Sequence, residues 1–133
     1  MLTGRTSSHG VGCPGANGTP VHTLAGTAQV GTTLFYDLAN GVPSSLALLI
    51  VGYASTFPFP IDLSVINMPG CFAYTDLLFN AGATLDPTGG TTLPFAVPAN
   101  AVGFLISQYA CLDPTANTFG FTTSNYCRTY TGN

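Results

Sequence analysis

Four cysteines, two histidines and five aspartates are the side chains of this sequence whose types could carry chemistry. A structural zinc site usually gathers its ligands in close pairs, but Cys13, Cys71, Cys111 and Cys127 contain no Cys-x-x-Cys and have only His9 and His22 beside them. Disulfides suit such isolated, even-numbered cysteines better. They also imply an oxidising compartment, so the chain is expected to be secreted and extracellular. Sequence alone leaves three pairings open. Cys13 and Cys71 both sit in Gly/Pro turns, while Cys111 and Cys127 end or begin late strands, which favours Cys13 with Cys71 and Cys111 with Cys127.

A serine-type hydrolase needs a nucleophile, an imidazole and a carboxylate within hydrogen-bond reach, and only His9 or His22 could serve as the base. His9 lies among Thr, Ser and Gly, where a solvated ring is the default, and His22 starts a strand. Neither a Gly-x-Ser-x-Gly elbow, a His-Glu-x-x-His motif nor a Gly-rich phosphate loop occurs. Glycoside hydrolysis would require two facing carboxylates. Instead Asp62, Asp86 and Asp113 stand directly beside turns, which capping explains, and Asp37 and Asp76 are scattered. Asp113 and Asn117 could donate oxygens to calcium, although nothing resembles an EF-hand loop. No catalytic residue, metal or cofactor is expected.

The elements that must position these residues are short strands. Sixteen Gly and ten Pro punctuate the 133 residues so often that no long stretch keeps a helical apolar period. Strands are expected at 21–24, 32–39, 45–53, 61–66, 71–78, 91–97, 101–110, 119–123 and 127–131. Turn signals separate them: Asn40-Gly41, Pro69-Gly70, Asp86-Pro87-Thr88-Gly89-Gly90 and Asp113-Pro114. Eight or nine short strands at this spacing predict an all-β, two-sheet sandwich with jelly-roll or Greek-key crossings, stapled by disulfides. Residues 13–133 form that single domain. Residues 1–12 precede it as an extended segment that could act as an arm between subunits.

Composition narrows the partners. Only 5% of residues are charged, against roughly 25% in an average protein, and none is Lys or Glu. Two arginines cannot neutralise enough phosphates for nucleic acid. The longest apolar stretch, Leu46 to Tyr53, is too short for a membrane-crossing helix. Low charge repels copies weakly and favours association, so a homo-oligomer or homopolymer is expected, with polysaccharide as the alternative partner. Tyr36, Tyr53, Tyr74, Tyr126 and Tyr130, with Phe57 and Phe59 of the Phe-Pro-Phe-Pro segment, are the candidate glycan or interface contacts. Asn17-Gly18-Thr19 matches a glycosylation acceptor.

Gly12-Cys13-Pro14-Gly15 with Gly18-Thr19-Pro20, Leu46-Ala47-Leu48-Leu49 with Gly52, Met68-Pro69-Gly70-Cys71, and a late set of Gln108, Asp113-Pro114, Asn117, Gly120 and Thr123-Ser124-Asn125 run through nearly the whole chain. Together they resemble a bacterial domain that recurs near the C-termini of secreted proteins. The resemblance implies a bond between Cys13 and Cys71, an extracellular location and a β-sandwich fold, and brings no activity with it. Cys111 and Cys127 depart from that pattern, which makes a second crosslink an addition. The functional expectation is a non-enzymatic structural protein that self-assembles into a filament or surface layer; the alternative is an accessory glycan- or cell-wall-binding module.

Overall fold

The computed structural model describes residues 5–52, 60–76, 79–97 and 103–131. Ten strands run in chain order: β1 (Arg5–His9), β2 (Val21–Gly26), β3 (Thr33–Ala39), β4 (Leu46–Gly52), β5 (Ile61–Asp62), β6 (Phe72–Ala73), β7 (Phe79–Thr84), β8 (Thr91–Ala96), β9 (Gly103–Leu112) and β10 (Phe121–Thr131). Among the described residues one 3-10 turn, η1 (Leu63–Ile66), lies between β5 and β6.

Period-two alternation accounts for the central strands. In β3, Leu34, Tyr36 and Leu38 are buried while Thr33 and Phe35 face out, and in β4, Ala47, Leu49 and Val51 point the same way. These side chains meet Tyr109 and Cys111 of β9, with Leu85 and Val97, in one continuous core between two sheets. The larger sheet has the order β1-β10-β9-β4-β7 and the smaller β2-β3-β8, with neighbours antiparallel throughout. Each fully buried Leu or Val contributes about 2 kcal/mol. β5 pairs with β6, β4 with β7, β3 with β8 and β1 with β10. Such nested pairing is the folded-over ribbon of a jelly roll, here with β9 inserted between β10 and β4 and with β2 hairpinned beside β3.

The segment 60–76 leaves the sandwich and returns across the outer face of the larger sheet. Asp62 caps η1 by accepting a hydrogen bond from the Ser64 amide at 2.9 Å, and Asn67 ends the turn in the left-handed region at φ 67°. The Cys13–Cys71 disulfide, with a Cα separation of 4.9 Å, ties this excursion to the loop before β2. Around it Met68, Leu63 and Phe121 form a second, smaller core. Gly52 is obligatory where the excursion crosses β4, because a Cβ there would collide with the carbonyl oxygen of Asp76.

Several expectations are corrected. Of residues 61–66 only Ile61 and Asp62 are strand, since the Asp62 cap diverts the backbone into η1. Residues 121–123 and 127–131 belong to one strand, β10, while 119 and 120 lie before it. The second disulfide does not form: Cys111 lies opposite Thr122 and Cys127 opposite Ser107, four residues apart along one face of the β9–β10 ladder. That separation is about 13 Å, beyond the roughly 7 Å a disulfide can bridge. Arg5–His9, within the segment expected as an arm, forms β1 and adds to the edge of its own sheet.

Candidate functional site

Every exposed cationic or imidazole side chain of the described residues gathers on the outer face of the larger sheet, where β1, β10 and β9 run side by side. Register places Arg5 opposite Tyr130, Ser7 opposite Arg128 and His9 opposite Tyr126. The next rungs set Tyr130 opposite Phe104, Arg128 opposite Ile106 and Tyr126 opposite Gln108. Because side chains alternate, all of these share one face. Arg5 lies 5.2 Å over the Tyr130 ring and Arg128 lies 5.8 Å from that of Tyr126. His9 stacks on Tyr126 at 5.5 Å, and Tyr126 continues to Tyr74 at 4.7 Å. The result is a row of rings interleaved with two guanidinium groups.

The surface ends at an edge. All five residues of β1 are exposed, and among the described residues nothing pairs with its outer side. At the opposite edge β7, with the sequence Phe-Asn-Ala-Gly-Ala-Thr, carries no charge and no proline. Natural sheets usually blunt such edges with Lys, Pro or a bulge. Among the described outer strands, β8 carries Pro94 and β1 carries the charged Arg5, while β7 has neither device.

Beside the ring row, under the excursion, an apolar groove of about 350 Å³ runs over Leu48, Ile50, Ala110 and Phe121, and Leu63 and Met68 form its other wall. Its one amide, Gln108, is used internally. The Nε2 donates to the carbonyls of Phe72 and Ser124 at 2.8 Å, and the Oε1 accepts from the Tyr74 amide at 3.1 Å. The groove therefore offers shape and apolar contact without a polar anchor. Phe119 lines it, and exposed Val65 and Ile66 stand on the neighbouring η1.

A buried polar node joins the two sheets behind this face. Ser124 and Asn125 together oppose Tyr109 alone, a β-bulge that rotates Asn125 toward β2. Its Oδ1 accepts from the His22 amide at 2.7 Å and its Nδ2 donates to the His22 carbonyl at 2.9 Å. The His22 ring donates from Nδ1 to the Asp37 carbonyl at 2.9 Å, which leaves Nε2 to accept from Ser107 Oγ at 2.8 Å. This is a Ser–His pair, but His22 is 0% and Ser107 1% exposed, and the Asp37 carboxylate instead accepts from Thr92 at 2.7 Å. Burial holds His22 down at about 4. The ring is a neutral strut inside the protein.

No protein-family model, curated protein or solved structure matches this chain. Its residues alone carry the functional reading.

Of the sequence candidates, Tyr126 and Tyr130 lie together on the ring row, and Tyr74 packs against Tyr126. Tyr36 is corrected. At 1% exposure it belongs to the core, stacked on Phe95 and edge-on to His22, with burial pushing its hydroxyl up to about 12. Tyr53, Phe57 and Phe59 lie outside the described residues. Sequence reasoning missed Arg5, His9, Phe104 and Arg128 as parts of the same face, because only the β1–β10–β9 register brings them together.

The calcium reading also meets occupied oxygens. Asp113 accepts from the Ala16 amide at 2.7 Å and from Thr115 at 3.2 Å, while Asn117 Oδ1 accepts from the Gly120 and Phe121 amides. Among the described residues, no group of three His, Cys, Asp or Glu side chains could hold a metal ion. Asn17 Nδ2, the atom a glycan would occupy, donates to the carbonyls of Gly41 and Thr88 at 2.9 and 3.3 Å. Among the described residues no helix is long and apolar enough to cross a membrane, which together with the disulfide is compatible with an extracellular protein.

Proposed function

We propose that this chain is a non-enzymatic, extracellular structural protein whose copies associate into a filament or surface layer. One observation carries the reading: a chain with an accessible surface of 6525 Å² has only seven charged side chains, of which Asp113 is buried, yet leaves large apolar groups such as Val65, Val11, Leu46 and Phe119 more than half exposed. Contact with another surface removes that apolar area from water, and little charge opposes it. The uncharged β7 edge and the open β1 edge add main-chain donors and acceptors to the same tendency. The sheet order also constrains geometry. β1 and β7 occupy the first and fifth positions of an antiparallel sheet and so run in the same direction. Head-to-tail continuation of the sheet would make a parallel junction between them, whereas two-fold junctions would pair β1 with β1 or β7 with β7 antiparallel.

A second reading, an accessory module that binds glycan or cell-wall polymer, is favoured by the ring row of Tyr126 and Tyr130 with its two arginines. Sedimentation at increasing concentration, electron microscopy of native material and a glycan array separate the two. Large ordered particles without glycan affinity support the structural protein. A dispersed single copy that retains glycan, and loses it in Tyr126→Ala, supports the module and overturns the first reading.

A further inference from the structure

We propose that β1 is exchanged between copies, each chain laying Arg5–His9 along β10 of a neighbour in place of the neighbour's own β1. The inference rests on the self-assembly reading and assigns its junction. The β10 edge demonstrably fits this strand, since five consecutive residues of β1 pair with it in register. A second copy offers a chemically identical strand, so the ladder made between chains equals the ladder made within one.

Three features make β1 the exchangeable element. None of its five residues enters either core, and all five are exposed, so its departure opens no cavity in the sandwich. Its side-chain contacts with β10 are superficial: the Arg5–Tyr130 and His9–Tyr126 ring contacts and a 3.5 Å approach of Ser8 Oγ to Cys127 Sγ. The hinge is built in. Gly10 follows β1 at φ +73°, a conformation that side chains disfavour, and the chain is fastened immediately afterwards. Val11 is clamped by the Tyr74 hydroxyl, which accepts from its amide at 3.1 Å and donates to its carbonyl at 3.2 Å, and Cys13 is fixed by the disulfide to Cys71. The strand can therefore swing about Gly10 while the body beyond stays folded. Main-chain hydrogen bonds supply the affinity, as in other strand additions.

Ser8 and Cys127 are direct partners across the ladder, and Cys127 is a free thiol, so the substitution Ser8→Cys tests the exchange with a single change. Assemblies of the Ser8→Cys chain are collected by sedimentation, oxidised, and run on a denaturing gel without reductant beside the parent chain. Exchange predicts covalent dimers and longer multimers that collapse to single chains on reduction, while the parent runs as a single chain throughout. A bond confined within each chain of a sedimenting assembly overturns the exchange and leaves self-assembly standing. Failure of any bond to form also overturns it, because β1 would then not lie on β10 at all. If nothing sediments at any concentration, the self-assembly reading fails first and the exchange falls with it.

Discussion

Ser107 of β9 donates its hydroxyl to the ring of His22 on β2 at 2.8 Å, and so links the two sheets through a bond that requires the imidazole to be neutral. Protonating Nε2 would turn the acceptor into a second donor facing a hydroxyl in the sealed core. Burial depresses the ring from 6.5 to about 4, so the unfolded chain takes up this proton first as pH falls. Stability from this group is whole above about pH 6.5 and is lost progressively as pH drops through 4, in total about 3 kcal/mol. Denaturant unfolding between pH 7 and pH 4 should show that loss, and His22→Phe should flatten it. A His22 ring that titrates near its ordinary value in the folded protein by NMR would contradict the account.

The two thiols left outside the disulfide should be inert until the protein unfolds. Burial pushes Cys111 up to about 12 and Cys127 up to about 11, and both side chains are inaccessible. A thiol-specific chromophore at mildly alkaline pH should detect none in the native protein and two per chain in denaturant without reductant. Detecting none in denaturant would mean that Cys111 and Cys127 are bonded after all.

These thiols mark where sequence reading stops. Their placement near strand ends suggested a bond, but pairing depends on register, and register shifts at a bulge whose residues, Ser124 and Asn125, look like an ordinary turn in the sequence. Strands with clear alternation, such as Leu34-Phe35-Tyr36-Asp37-Leu38, were legible because burial of one face dictates that pattern. β7 was not, since Ala81, Gly82 and Ala83 carry little strand propensity and rely on pairing with β4. Ile61 to Ile66 reads as a strand until Asp62 is seen capping the next turn. For the candidate face, Tyr126 and Tyr130 could be named from sequence, but Arg5 and His9 join them only through β1 pairing, a contact across most of the chain's length.

Asn125 should be among the most sensitive polar positions. It satisfies both the amide and the carbonyl of His22, groups that a β-strand neighbour would otherwise pair, and it does so in the interior. Asn125→Ala strands the buried His22 amide and leaves its carbonyl only the weak donor of the Cys127 thiol at 3.4 Å, at a cost of about 3 kcal/mol. The exposed Asn80→Ala on β7 serves as control and should stay within about 0.5 kcal/mol of the parent. Chemical denaturation of both variants checks this; equal midpoints would show that the bulge does not hold the sheets together.

Removing the disulfide should loosen one part of the molecule before the rest. The Cys13–Cys71 bond closes a separation of 58 residues, and in the chain-entropy picture its loss costs about 4 kcal/mol. That loss should not be felt evenly. The segment 60–76 rests on the small core of Met68, Leu63 and Phe121, and its inner hydrogen bonds, such as Leu63 amide to Cys71 carbonyl at 2.9 Å and Met68 amide to Leu63 carbonyl at 3.1 Å, are local. The main core shares none of these residues. In the Cys13→Ala, Cys71→Ala double variant, amide exchange should therefore accelerate most at Leu63 and Met68 and least at Tyr109, which keeps its 2.9 Å bond to Ser124 and donates its hydroxyl to the Tyr36 carbonyl. Equal acceleration at all three amides would mean that the excursion and the sandwich unfold as one unit, with the crosslink stabilising both alike.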